Sequence, residues 1–275
     1  MTEMVMTRLY ELMIILYGLC IVLYFTDYLY KNIKFRRVAF WFVSIVWVLQ
    51  TLFIVLFIIE TKRFPILSLY EGVFFYAWLL TTLSIVLHCI VRVDLPVFFI
   101  NVLSFVFMTI HLFAPETNDQ IVGDSLVSEM LLIHISFAIV SYAAFSVAFV
   151  FSLLYLILYR ILKQKKFTNL WSRLPSLQQM VKWINLSTII GIPLLLISLI
   201  LGLEWAFLTL ENVSVFDVKI LGSFIVSIVY LIIFLLHRKG KLIGMVYAQV
   251  HIYLFLLVVI NFFLGSKLSN FHLWV

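Results

Sequence analysis

Along this chain apolar residues come in long runs of about twenty, divided by short polar stretches. The runs fall approximately at 9–30, 38–59, 70–91, 96–114, 129–160, 184–204, 217–236 and 243–265. A helix needs about 20 apolar residues to cross roughly 30 Å of hydrocarbon, so each run is long enough, or nearly so, to span a membrane. Strands of a membrane barrel would instead alternate apolar and polar positions over about ten residues, and no such alternation occurs. The pattern predicts an all-α fold, a polytopic transmembrane helix bundle of about eight spans. Residues 1–275 then form a single integral membrane domain. Pro193 lies inside the sixth run, where it frees a backbone carbonyl and predicts a kink.

Composition excludes a soluble enzyme. Of the 275 residues, 65% are hydrophobic and 12% charged, with a mean hydropathy of +1.17; soluble domains carry about 25% charged residues. The formal charge of +6 reads as topology rather than as affinity for nucleic acid, because Lys and Arg concentrate in cytoplasmic loops. Lys31, Lys34, Arg36 and Arg37 follow the first span and Arg92 the third. Arg160, Lys163, Lys165, Lys166, Arg173 and Lys182 follow the fifth, and Arg238, Lys239 and Lys241 the seventh. These fourteen of the nineteen basic residues share one side, which is assigned to the cytoplasm, and most acidic residues fall on the other. Both termini are therefore expected to be extracytoplasmic in a multi-pass protein of a bacterial cytoplasmic (plasma) membrane. Met1–Thr7 lacks a basic leader, so the first span is expected to remain as an anchor. Segment 160–183 mixes basic residues with Leu162, Phe167, Trp171 and Leu174. That mixture predicts an amphipathic stretch on the cytoplasmic leaflet surface.

Chemistry in such a chain resides in the polar groups kept at membrane depth, here mostly histidines. There are six. The topology puts His111, His134 and His272 toward the outer surface, His88 and His237 toward the cytoplasmic end, and His251 within the last span. For any one of them a structural histidine bonded to a neighbouring helix serves as well as a ligand; six in one small bundle favour ligands. Histidines at two depths, among 17% aromatic residues, suit a planar apolar group whose metal takes imidazole. Haem has that character. Zinc would want a tighter set, such as two histidines four apart with a carboxylate, and that spacing does not occur. Cys20 and Cys89 lie in apolar runs without Cys-x-x-Cys pairing, which excludes a disulfide framework and covalent haem attachment.

The run Ser128-Glu129-Met130-Leu131-Leu132-Ile133-His134-Ile135-Ser136, continuing to Ser141-Tyr142-Ala143-Ala144, resembles a helix start of the CcsA-type cytochrome c assembly proteins. Arg63-Phe64-Pro65, then Leu69-Tyr70-Glu71-Gly72 and Trp78, is similar to an outer-loop segment of the same family. Trp205 and Asp217 stand twelve apart with Lys219 two beyond, and His237 and His272 fall where the family keeps histidines. The ordered set covers roughly residues 63–275. The resemblance implies haem (haem b) as the bound group, with His134 and His272 as axial ligands of an outward-facing site and His237 at an inner one. His88 is assigned to the inner site on depth alone. The resemblance further implies that Tyr70, Glu71 and Trp205 line or support the outer pocket, with Lys219 or Arg63 meeting the propionates. The iron ligands would then be His134, His272 and His237.

Where the family loop is rich in tryptophan, this chain has Leu210, Ser214, Phe216 and Asp217-Val218, and about two residues are inserted before His237. That stripped loop resembles the HemX-like group of the family. The group implies a non-catalytic protein that senses or moves haem and restrains haem biosynthesis at glutamyl-tRNA reductase, or through another cytoplasmic haem-pathway protein. Two other readings stay open: a haem exporter or cytochrome c synthase subunit, and a ligand-free membrane scaffold. The expected partners are the lipid bilayer, haem and that cytoplasmic protein, without nucleic acid.

Overall fold

The computed structural model describes residues 2–30, 32–90, 94–112, 129–165, 173–209 and 217–268. Among them are eight helices: α1 (Thr2–Tyr30), α2 (Ile33–Thr61), α3 (Leu69–Ile90), α4 (Asp94–Leu112), α5 (Glu129–Lys163), α6 (Leu177–Thr209), α7 (Val218–Arg238) and α8 (Gly244–Leu268). Each predicted span is a helix. Seven are long and apolar enough to cross a membrane; the exception is α4, whose apolar stretch Leu95–Ile110 rises about 24 Å at 1.5 Å per residue. The result is an all-helical, multi-pass membrane architecture.

Local chemistry sets where the helices start. Asn32 caps α2 by accepting from Lys34 N at 3.0 Å. Ser68 and Glu71 form a reciprocal capping box at the head of α3, Glu71 N donating to Ser68 Oγ (3.1 Å) and Ser68 N to Glu71 Oε2 (3.2 Å). Ser176 and Gln179 repeat that device before α6, at 3.1 and 3.2 Å, directly after Pro175. Asp217 caps α7 through Lys219 N at 2.8 Å. The turn from α7 to α8 uses Gly240 and Gly244, both with positive φ (71° and 61°), a conformation that costs glycine little. Pro193 sits inside α6, which continues through it.

The helices divide into two compact units, Met1–Glu116 and Thr117–Val275. In the first, α3 packs on α4, α1 on α2 and α4, and α2 on α3. Its centre holds a hydrogen-bonded polar network: Tyr17 Oη donates to Asn101 Oδ1 (2.9 Å), Asn101 Nδ2 to Ser84 Oγ (2.9 Å), and Ser104 Oγ to the Ala77 carbonyl (2.8 Å). In hydrocarbon such groups must pair with one another, because no water is present to do so.

In the second unit α5 packs most extensively on α6 and also meets α8, while α7 lies against α6 and α8. Small residues let these helices approach closely. A Cβ on Gly191 of α6 would lie 2.5 to 3.0 Å from the Phe145 ring of α5, and one on Gly202 would lie 2.5 to 3.0 Å from the His134 ring. Ser141 Oγ ties the same seam by donating to the Gly191 carbonyl at 2.8 Å. This unit carries the cleft described next.

Candidate functional site

Where α5 and α7 begin and α6 and α8 finish, their side chains enclose a cleft. Ile135, Ala138, Ile139, Leu195, Leu199, Leu203 and Phe262 make its apolar wall. Its polar members are His134, Tyr142, Ser198, Lys219 and Ser223. An imidazole and a buried lysine thus share one apolar space.

His134 is held firmly. Its Nδ1 lies 2.5 Å from the Ser198 carbonyl oxygen and 3.1 Å from Ser198 Oγ, and that hydroxyl donates to the His134 carbonyl at 2.8 Å. A carbonyl can only accept, so Nδ1 carries the proton and the lone pair of the neutral ring is on Nε2. Metal-bound histidines have this arrangement: one ring nitrogen donates to a carbonyl and the other faces the metal.

Lys219 is 8% exposed. Its Nζ donates to the Phe262 carbonyl at 3.2 Å and stands 5.2 Å from the centre of the Phe262 ring. Phe262 in turn meets Tyr142 edge-on, their ring centres 6.0 Å apart. Asn261, beside Phe262, donates from Nδ2 to Ser223 Oγ at 3.0 Å. The cleft holds about 60 Å³, room for a few waters, whereas pockets that bury a cofactor-sized ligand hold about 300–1,000 Å³.

Two other site residues expected from the sequence, His237 and Trp205, do not line this cleft. His237 ends α7, eighteen residues beyond Lys219 and so about 27 Å along the helix. Its Nδ1 donates to the Leu242 carbonyl (2.7 Å), its Nε2 accepts from Asn185 Nδ2 (3.2 Å), and its ring stacks on Tyr247 at 3.8 Å. Tyr247 Oη donates to Asn185 Oδ1 at 2.6 Å. His251, 1% exposed, continues this chain through the Tyr247 carbonyl (3.1 Å) and Thr188 Oγ1 (3.2 Å). Trp205 is buried on α6, three residues past Gly202. His272 lies outside the described residues, as does the side chain of His111.

In the first unit, Arg63 and Glu71 bind each other through two contacts of 2.8 and 2.7 Å. Glu71 also accepts from Leu67 N at 3.0 Å, and the Arg63 guanidinium stands 5.1 Å from the Phe57 ring. Tyr70 is half-buried in the first turn of α3. His88 is at the other end of that helix, stacked on Phe40 with ring centres 4.2 Å apart. Among the described residues, no three His, Cys, Asp or Glu side chains form a group that could hold a metal ion.

Comparison with known proteins agrees with this architecture. The family described as cytochrome c assembly protein matches residues 66–272. The chain belongs to that family. Similar relatives include Protein HemX of Bacillus subtilis (strain 168), 44% identical over 273 residues and covering 99% of each chain. Protein HemX of Brevibacillus brevis is 37% identical over 266 residues, 97% of each chain. His134 and His237 both fall inside the family match.

Four residues that shape the cleft were not singled out from the sequence: Ser198, Gly202, Ser223 and Phe262. Ser198 and Gly202 are four apart on α6, the spacing of neighbours on one helix face. That spacing is the one signal the sequence held for them.

Proposed function

We propose that this protein binds haem between the outer ends of α5, α6, α7 and α8 of a bacterial plasma membrane, and restrains haem biosynthesis in response. The observation that carries the reading is the joint presence of His134 and Lys219 in one apolar cleft. Haem brings four nitrogen ligands of its own, so one or two imidazoles complete its coordination where the protein offers no larger ligand set. His134 would hold the iron through Nε2, and His272 would supply the second imidazole. Lys219 would turn from the Phe262 carbonyl to a propionate, and the aliphatic wall would meet the porphyrin. When bound, haem supplies coordination chemistry and colour at this site, and is the signal or the cargo rather than a reagent.

The small volume gives the protein something to transmit. Admitting a porphyrin requires the helix ends around Phe262 to part. Helix α5, which bears His134, runs unbroken to Arg160 and Lys163, where the basic segment 160–183 begins. A cytoplasmic partner at that segment, with glutamyl-tRNA reductase as the pathway enzyme under control, would read the change. His237 is the inner ligand of this reading. Trp205, buried on α6 three residues past Gly202, supports the outer end. The bonds that Arg63 and Glu71 make to each other favour Lys219 as the propionate partner.

Two experiments test the reading. Haem titrated into detergent-purified protein should give a low-spin absorption spectrum, with affinity at least tenfold weaker in Lys219→Met, and a wild type that leaves the spectrum of free haem in micelles unchanged would overturn it. Deleting residues 166–172 should abolish control of haem synthesis and leave haem bound. Regulation that persists in the deletion would exclude docking there.

A further inference from the structure

We propose that Ser198 and Gly202 of α6 are positioning residues for His134, fixing its ring so that Nε2 alone is offered to iron and holding the bound iron toward its ferric state. The inference rests on the haem reading above. Its support is the way α6 grips this one ring.

Two contacts fix the ring's rotation and tautomer, and a third orients the hydroxyl that makes one of them. The Ser198 carbonyl lies 2.5 Å from Nδ1, Ser198 Oγ lies 3.1 Å from it, and Oγ donates to the His134 carbonyl at 2.8 Å. Because Oγ spends its proton on that carbonyl, it meets Nδ1 as an acceptor, so both oxygens of Ser198 draw on the same N–H. A fourth contact fixes the plane. The imidazole lies over Gly202 so closely that an added Cβ would fall 2.5 Å from Cε1, 2.7 Å from Nδ1 and 3.0 Å from Nε2. Any side chain at 202 must push the ring away, and with it the direction of the Nε2 lone pair.

The electronic consequence follows from the same bond. Donation from Nδ1–H to a carbonyl raises the basicity of the opposite nitrogen, and a more basic axial imidazole stabilises the higher oxidation state of the metal.

Helix packing alone would explain a glycine here, and the chain contains the control for that. Gly191, on the same helix and seam, receives the Phe145 ring as closely, an added Cβ falling 2.5 Å from it. Phe145 has no lone pair to aim. Gly191→Ala should therefore disturb packing as much as Gly202→Ala does, without touching the ligand.

The test uses full-length protein in detergent, loaded with ferric haemin, comparing wild type, Gly202→Ala, Gly191→Ala and Ser198→Ala. Absorption spectra, haemin titration, redox titration and thermal unfolding are read on each. Gly202→Ala should lose haemin affinity 10- to 100-fold, the usual cost of disturbing a ligand's support, and lose the low-spin spectrum. Gly191→Ala should lower thermal stability at least as much and keep spectrum and potential. Ser198→Ala, which removes only the hydroxyl contacts, should raise the reduction potential and weaken affinity several-fold; should Gly202→Ala misfold, this variant decides.

A Gly202→Ala protein within twofold of wild type in affinity, with an unchanged spectrum, overturns the positioning role. So does a Gly191→Ala protein with the same spectral change. A wild type that binds haemin through His134 but ignores both α6 substitutions overturns this inference alone, whereas one that takes up no haemin overturns the function as well.

Discussion

Glu71→Gln separates a structural ion pair from a ligand partner at the head of α3. In the structure Glu71 meets Arg63 with both oxygens at 2.8 and 2.7 Å and also takes the N–H groups of Leu67 and Ser68 at 3.0 and 3.2 Å. The amide keeps the shape but loses the charge and one acceptor, so it can serve the backbone donors or the guanidinium, not both. Fully exposed pairs are worth about 0.2–1 kcal/mol, and breaking a buried one costs about 3–5 kcal/mol. The side chains here are 25% and 11% exposed, between those limits. The expected loss is about 2 kcal/mol, with a coupling energy to Arg63→Gln of about 1–2 kcal/mol. The assay is a double-mutant cycle on unfolding in detergent micelles, followed by tryptophan fluorescence, at low and high salt. Partial burial predicts weak screening. Coupling below about 0.5 kcal/mol, or haemin affinity that falls in parallel with the loss of the pair, would refute the structural assignment of Arg63.

Three further outcomes are expected. Asn185→Leu, which strips the His237 and Tyr247 side chains of a shared partner, should lower unfolding stability by about 2 kcal/mol, read as a lower melting temperature; an unchanged melting temperature would show that the network contributes nothing. Gly191→Leu should cost about 1–3 kcal/mol, because Phe145 is itself stacked on Tyr230 at 3.9 Å and has little room to move; stability equal to wild type would mean the seam is loosely packed. Phe262→Ala should speed haemin uptake in stopped-flow mixing about tenfold if opening the cleft limits entry, and an unchanged rate would place the barrier elsewhere.

The spans could be read from the sequence because lipid asks for apolarity on every face of a helix, a demand written in composition alone. The capping boxes at Ser68 and Ser176 are as local, each needing residues three positions apart, but were first seen in the structure. His134 and Lys219 were reached through motif and spacing, and the structure places both on one cleft. Ser198 and Gly202 were not reached. In a span apolar all round, no polar stripe marks which face meets a neighbour, so the partner of His134 depends on how α5 and α6 rotate against each other. The same holds for Asn185, whose role appears only once α7 and α8 bring His237 and Tyr247 beside it. For Arg63 the motif implied a ligand partner, while the bidentate geometry with Glu71 comes from the turn of chain leading into α3.

The measurement that bears most directly on haem binding at the His134 cleft is the absorption spectrum of haemin-loaded His134→Gly, recorded without and with imidazole. Loss of the wild-type low-spin bands in the variant, and their return when imidazole fills the space of the missing ring, is the expected result. A His134→Gly protein whose spectrum and haemin affinity equal those of wild type would contradict it.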